Sequence, residues 1–227
     1  ILVTTPAEPP FRPRFIDREL AQAEMLGLEP IIVCNKYDIL ENAPETEDYL
    51  RIWEDLGYKV MRISAKTGEG LTEFVELIEN KLSAFAGQSG VGKSSLVNVL
   101  DDSCVLKTGS LSKKYGRGSH TTTKGTLNRL TINTALTGGV KGRIASIIDT
   151  PGIRRFMLNE IEAEDLQLYF REFKPFIGKC KFGMNCSHTH EPNCAIKQAV
   201  EEGKISKQRY DSWLRISLQI KNKTWDD

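Results

Sequence analysis

No apolar run in the 227 residues approaches the roughly 20 needed to span a bilayer. The opening Ile1-Leu2-Val3 has no Met, no charged n-region and no long h-region, so it is not read as a secretory signal. It reads as the inside of an apolar strand, and a segment N-terminal to residue 1 is expected. Charge of one sign is missing too: 31 Lys and Arg face 30 Asp and Glu. The net charge therefore gives no overall pull toward nucleic acid or membrane. No internal repeat or low-complexity tract is present. At 40% apolar and 27% charged residues, the chain is of ordinary globular composition, not disordered. Five cysteines cannot all pair. Cys34 and Cys104 stand alone, whereas Cys180, Cys186 and Cys194 gather around His188. That pattern fits metal ligation in a reducing compartment, and the cytoplasm is the expected location.

What is there is alternation. Short apolar runs at residues 1–3, 31–34, 59–63, 82–86, 127–132 and 143–148 read as strands. Helical stretches are expected over 15–28, 47–56, 71–78 and 92–100. Leu71, Phe74, Val75 and Ile78 follow the i, i+3, i+4, i+7 spacing of one helix face. Alternating β and α segments predict a mostly parallel sheet with helices on both faces. After about residue 156 the alternation stops. Helices are expected at 158–173, 194–202 and 206–220. In the last, Tyr210, Leu214 and Leu218 share a face with Trp213, Ile216 and Ile220 beside it. The expected division is an α/β domain over 1–155 and a small helical, metal-anchored domain over 156–227.

Gly87-Gln88-Ser89-Gly90-Val91-Gly92-Lys93-Ser94 matches G-x-x-x-x-G-K-[ST], between an expected strand and an expected helix. Glycines let successive N–H groups turn toward phosphate oxygens, and the helix N-terminus adds positive partial charge. Lys93 suits the β- and γ-phosphates, the Ser94 hydroxyl suits Mg²⁺, and Ser95 follows in the first turn. Asn35-Lys36-Tyr37-Asp38 matches N-K-x-D. An Asp38 carboxylate accepts the adjacent N1–H and N2–H₂ of guanine, a donor pair adenine lacks. Asn35 is expected to tie this loop to the phosphate loop, and the Lys36 stem to cover the base. Ser64-Ala65-Lys66 follows the third strand, and its Ala65 N–H is expected to meet guanine O6. Asp149-Thr150-Pro151-Gly152 matches D-x-x-G, with Asp149 expected to hold Mg²⁺ through water and the Gly152 N–H to meet the γ-phosphate. Between these motifs, Gly116 to Thr123 (GRGSHTTT) has the place and composition of a first switch, with Thr122 or a neighbouring Thr on Mg²⁺. Residues 107–129 hold Lys107, Lys113, Lys114, Arg117, Lys124 and Arg129 and no acid, a basic segment suited to RNA phosphates. Cys180-x₅-Cys186-x-His188-x₅-Cys194 supplies three thiolates and one imidazole, a closed structural zinc set; His190 is a rival fourth ligand.

The order of the motifs is unusual. N-K-x-D and S-A-K come first, then the phosphate loop, the switch and D-x-x-G. The cyclic order of a GTPase is kept but its start has moved. All the loops still lie at one sheet edge, so a circular permutation preserves the site. D-x-x-G then leads directly into the metal-anchored tail.

On these residues the chain resembles the circularly permuted, ribosome small-subunit-dependent GTPases of the RsgA/YjeQ family. The most specific stretches are GQSGVGKSSLVN at 87–98, GRGSHTTT at 116–123, IDTPGIR at 148–154 and the cluster 180–195. The resemblance implies an N-terminal OB-fold before residue 1, GTP or GDP with Mg²⁺, and one structural Zn²⁺. It implies binding to the small subunit and its 16S rRNA late in assembly, with hydrolysis driving release. A monomer with no membrane partner is expected. A GTP-gated RNA-binding module, and a GTPase acting on the large subunit or another RNA, are the competing readings. Asn193 stands where the family usually has Gly, and Thr134 to Gly142 is longer than usual. Ile153 follows D-x-x-G where many GTPases place a water-orienting Gln. His120 is therefore the candidate water-orienting residue, with Lys93 and Gly152 as the other catalytic candidates.

Overall fold

The computed structural model describes residues 1–101, 126–149, 158 and 160–224. By internal packing the chain divides into two compact units. The first comprises Ile1–Phe11, Ile31–Glu47 and the described part of Val60–Arg154; the second comprises Arg12–Pro30, Asp48–Lys59 and the described part of Arg155–Asp227.

The first unit is built on β1 (Leu2–Thr4), β2 (Ile31–Cys34), β3 (Lys59–Arg62), β4 (Leu82–Phe85), β5 (Thr126–Thr131) and β6 (Ile144–Asp149). The strands pair as β1-β2-β3 and as β4-β6-β5. A parallel bridge from Leu2 to Ala86 joins the two sets, with Val3 N–H donating to Ala86 O and Ala86 N–H to Ile1 O, each at 2.8 Å. The resulting order is β3-β2-β1-β4-β6-β5. The β1–β2 and β4–β6 pairs are parallel, and β5 runs antiparallel to β6. The expected mostly parallel sheet is thus present, with one antiparallel edge. Val3, Val33, Ile63, Phe85 and Ile147 carry its apolar core.

Helix α3 (Leu71–Ile78) buries the four residues its spacing selects: Leu71, Phe74, Val75 and Ile78. Helix α4 (Lys93–Leu100) buries Leu96, Val97 and Leu100. Because β2, β3 and β4 carry the N-K-x-D, S-A-K and phosphate loops on their C-terminal ends, the alternation of strand and helix brings these three loops to one sheet edge.

The second unit includes α1 (Pro13–Met25), most of α2 (Glu45–Asp55), α5 (Ala195–Glu201) and α6 (Lys207–Asn222). Pro13 sits at the start of α1, where a fixed φ helps and an N–H is not needed. The helix expected over 158–173 is not formed in its described part. Two short 3₁₀ turns, Leu166–Tyr169 and Arg171–Phe176, stand there, broken at Phe170 by an extended conformation (φ −103°, ψ 109°). The buried residues explain this. Leu158 and Ile161 lie off the face shared by Ala163, Leu166, Phe170 and Phe173, the extended Phe170 interrupts that face, and Pro175 closes the stretch. On α6 the buried face is Arg209, Ser212, Trp213, Ile216 and Ser217. Leu218, expected on the apolar face, is 55% exposed.

A buried ion cluster holds this unit. Arg209 on α6 donates to Asp17 on α1 and to both Glu172 oxygens, at 2.7 and 3.3 Å on the latter. Trp53 Nε1–H donates to the same Asp17 oxygen at 2.9 Å. Burial opposes the Arg209 charge, yet Asp17 and Glu172 overcome it and raise its pKa.

Candidate functional site

The loop after β2 is built around Asn35, which is 1% exposed. Its Nδ2 donates to Val91 O at 2.9 Å, and its Oδ1 accepts from Ala65 N–H at 3.1 Å. One side chain therefore ties the N-K-x-D, phosphate-loop and S-A-K segments together. The fit is tight: a Cβ on Gly92 would collide with Asn35 Nδ2. Gly92 has φ +95°, which only glycine adopts readily. Gly87 is equally constrained, at φ +143° and with Val3 O where a Cβ would stand.

Asp38 is positioned by Ser64, whose hydroxyl donates to Asp38 Oδ1 at 2.7 Å. The same Ser64 Oγ accepts from Lys66 N–H at 3.2 Å and Thr67 N–H at 3.1 Å. Asp38 Oδ2 stands 3.7 Å from the exposed Lys66 Nζ. Lys36 adopts a left-handed conformation (φ 59°), and its Nζ donates to Glu8 O at 2.7 Å. Tyr37 OH donates to Glu47 at 3.0 Å. Burial first, then the Glu47 carboxylate, raises the Tyr37 pKa.

In the phosphate loop Lys93 is 7% exposed. Its Nζ donates to Gly87 O at 2.7 Å and Gln88 O at 2.8 Å. Ser89 and Gly90 lie exposed at the loop tip, and Ser94 and Ser95 are half-buried in the first turn of α4. The loop backbone thus curls around its own Lys, a shape that side chains on its glycines would prevent. Asp149 ends β6 in register with Phe85, two residues before Gly87. His120, Thr122 and Gly152, with the rest of 107–125 and the 150–154 segment, lie outside the described residues.

In the second unit, Cys180, Cys186, His188 and Cys194 bring four ligand atoms within 4.8 Å of one another. All four are buried. His188 Nδ1 faces Cys194 Sγ at 3.3 Å and Cys180 Sγ at 3.5 Å. The exposed His190 is not in the cluster; its Nδ1 meets Thr189 Oγ1 at 2.9 Å. Burial, with the crowding of neighbouring thiols, pushes Cys186 up to about 12 and raises Cys194 as well. Desolvation lowers the His188 pKa, which keeps its imidazole neutral. Buried thiols facing one imidazole nitrogen form a donor set that a cation would stabilise. They could hold a metal ion in the tetrahedral Cys₃His manner.

Sequence spacing gave no hint of the residues around this cluster. Gln167, 5% exposed, meets His188 Nε2 through its Oε1 at 2.8 Å. Tyr210 OH donates to His188 O at 2.5 Å, and the Trp213 ring lies 5.8 Å from the imidazole. Asn193, which stands where the family usually has Gly, adopts φ 56°; Asn tolerates that region better than most residues with a side chain.

The sheet order, a glycine-rich loop opening a helix and a guanine-type loop preceding it in sequence define a circularly permuted GTPase fold. Comparison with known proteins agrees. The family model for RsgA GTPase matches residues 1–159. The chain is 43% identical over 222 residues to a protein of Shewanella oneidensis called small ribosomal subunit biogenesis GTPase RsgA, covering 97% of this chain and 59% of the relative. A protein of the same name from Chlorobaculum parvum is 42% identical, over 95% of this chain and 65% of its own. Among solved structures, YjeQ from Thermotoga maritima superposes with a TM-score of 0.72 at 33% identity, covering 96% of this chain and 69% of that one. YloQ, described as a circularly permuted GTPase, gives 0.70 at 29% identity, over 100% and 69%. The chain belongs to the RsgA GTPase family. It spans about three fifths of the length of the curated relatives it matches. Among the described residues no helix is long and apolar enough to cross a membrane.

Proposed function

We propose that this chain binds GTP, hydrolyses it, and acts in biogenesis of the small ribosomal subunit, as the names of its relatives say of them. The observation that carries the nucleotide part is the pair of hydrogen bonds made by Asn35, Nδ2 donating to Val91 O and Oδ1 accepting from Ala65 N–H. It links base-reading and phosphate-binding loops before any ligand arrives, the preorganisation such a site needs.

In this reading Asp38, set by Ser64, accepts the guanine N1–H and N2–H₂. Lys36 and Tyr37 flank the base, and Ala65 and Lys66 border its O6 edge. Gly87 to Gly92, including Gln88, Ser89, Gly90 and Val91, surrounds the phosphates, with Ser95 beside them. Lys93 exchanges its carbonyl partners for phosphate oxygens. Ser94, Thr122 and, through water, Asp149 hold Mg²⁺, which when bound offsets charge on the β- and γ-phosphates. The Gly152 N–H senses the γ-phosphate and His120 orients water. Without a Gln after D-x-x-G, unstimulated turnover is slow, and the ribosomal partner completes the site.

Cys180, Cys186, His188 and Cys194 hold one structural Zn²⁺; the closeness of the four donors supports this. The functional boundary falls near 155, between a GTPase segment, 1–155, and a zinc-binding segment, 156–227. The family model's span of 1–159 supports it. The basic segment 107–129 contacts 16S rRNA. The protein works in the cytoplasm as a monomer.

The test is retention on purified small subunits in sedimentation. A non-hydrolysable GTP analogue is expected to retain the chain and GDP to release it. Equal retention with both nucleotides would leave an RNA-binding module in which GTP turnover sets nothing.

A further inference from the structure

The second unit holds a cavity of about 260 Å³ that no motif residue lines, formed by residues of α1, α2 and α6 including Arg14, Tyr49, Ser212 and Arg215. We infer that this cavity is a phosphate-binding subsite, in which Arg14, Arg215 and Ser212 grip one tetrahedral phosphate group at the N-terminus of α1.

Four features converge. First, two guanidiniums line one small space. Burial, then the Arg215 charge, lowers the Arg14 pKa against the opposing pull of Asp17, so the two guanidiniums repel and a further anion between them would relieve that repulsion. Second, the carboxylates that share the cavity are engaged elsewhere. Asp17 Oδ1 takes both Arg209 and Trp53, and Asp211 Oδ2 takes Lys207 Nζ at 2.9 Å. Third, Ser212 is 8% exposed and its Oγ has no hydrogen-bond partner among the described residues. A buried hydroxyl without a partner is unfavourable, and a ligand that accepts from it removes that cost. Fourth, α1 begins here with Pro13, has no side-chain cap from Arg12, and carries no acid in its first turn. Its N-terminal dipole is therefore free for an anion.

The chemistry selects phosphate. A planar carboxylate is satisfied by one guanidinium in a bidentate pair, whereas a phosphate accepts from two guanidiniums, a hydroxyl and a backbone N–H together. The volume lies below the roughly 300–1,000 Å³ of pockets for whole drug-sized ligands. It suits a phosphate group, free or carried on a larger ester such as an RNA backbone. The inference does not depend on GTP binding, because the cavity contains none of the motif residues.

The test is a titration of the ¹⁵N-labelled full chain with inorganic phosphate at constant ionic strength, balanced with chloride. NMR reads Arg14 and Arg215 Nε–H and the Ser212 amide, which separates this cavity from phosphate bound by the Gly87 to Lys93 loop. Saturable shifts at all three are expected. The double variant R14Q/R215Q weakens the midpoint at Ser212 at least 10-fold, and S212A weakens it at the two arginines about 3-fold or more. Both variants change partly accessible or small side chains and keep the fold, as their unperturbed core resonances should show. A second arm adds a short single-stranded RNA. Displacement of phosphate from the three reporters assigns the site to backbone phosphate, and undisturbed phosphate binding assigns it to a small phosphate species. Linear, non-saturating shifts at these residues, or saturation unchanged in R14Q/R215Q, would overturn the inference.

Discussion

Asn35 Nδ2 lies 2.9 Å from Val91 O, across 56 residues of sequence. This bond holds the N-K-x-D loop against the phosphate loop, and Gly92 is required for it to form. Removing the amide should disturb both loops. For Asn35→Ala, GTP and GDP affinity should fall about 10-fold or more, and stability by about 1–3 kcal/mol from the unpaired buried Val91 carbonyl and Ala65 N–H. Fluorescent-nucleotide titration and urea unfolding measure the two. Wild-type affinity in Asn35→Ala would mean that the loops assemble without it.

Asp38 is held by the Ser64 hydroxyl at 2.7 Å with one oxygen left toward Lys66. Asp38→Asn replaces a double acceptor by a group that also donates. GTP affinity should drop roughly 100-fold, and xanthosine triphosphate, whose C2 carbonyl accepts, should become the better ligand. Competition between the two nucleotides reads this directly. Unchanged preference for GTP would remove Asp38 from base recognition.

Gln167 Oε1 fixes His188 through Nε2 and so aims Nδ1 at the thiols. An outer partner of this kind is worth about 10–100-fold in metal affinity. Gln167→Ala should lose that factor in competition against a chromophoric chelator. Gln167→Glu should recover part of it, because a carboxylate still accepts from Nε2–H.

The thiol pKa values give a pH dependence with a defined sign. Cys186, raised to about 12, and Cys194, also raised, stay protonated in the metal-free fold at pH values where an unfolded thiol ionises. Above about 9 the unfolded state therefore binds fewer protons, and metal-free stability falls as pH rises. Buried Cys34, up to about 12, adds the same slope to both forms. Melting temperatures from pH 8 to 10 should drop more steeply for the metal-free chain than for the zinc-loaded one. Zinc loading at pH 7 should release more than one proton per ion.

Arg209 is fully engaged by Asp17 and Glu172 in the interior. Arg209→Leu strands two buried carboxylates and should destabilise by about 3–5 kcal/mol. The triple variant Arg209→Leu with Asp17→Asn and Glu172→Gln should recover much of this. A loss under 1 kcal/mol in the single variant, by urea unfolding, would contradict a tightly coupled cluster.

Most of the first unit was legible because its signals are local. A strand ending in a glycine-rich turn, or α3 with its four apolar residues in register, carries its structure within a dozen positions. The gathering of Cys180, Cys186, His188 and Cys194 was legible for the same reason. The 158–173 stretch was misread because its 3₁₀ turns answer to side chains far away in sequence. Gln167 must face His188, and Phe170 and Phe173 must pack beside Arg209 and Trp213. The exposure of Leu218 has the same origin. The buried Arg209 claims the face of α6 that hydrophobicity alone would assign elsewhere. Ion pairs such as Arg209 with Asp17, 192 residues apart, leave no periodic trace.

The most direct measurement is steady-state hydrolysis of GTP and ATP by this chain, alone and with purified small or large ribosomal subunits. Slow turnover of GTP but not ATP, accelerated by the small subunit alone, is the expected result. Equal acceleration by both subunits, no acceleration, or turnover of ATP would contradict a small-subunit GTPase.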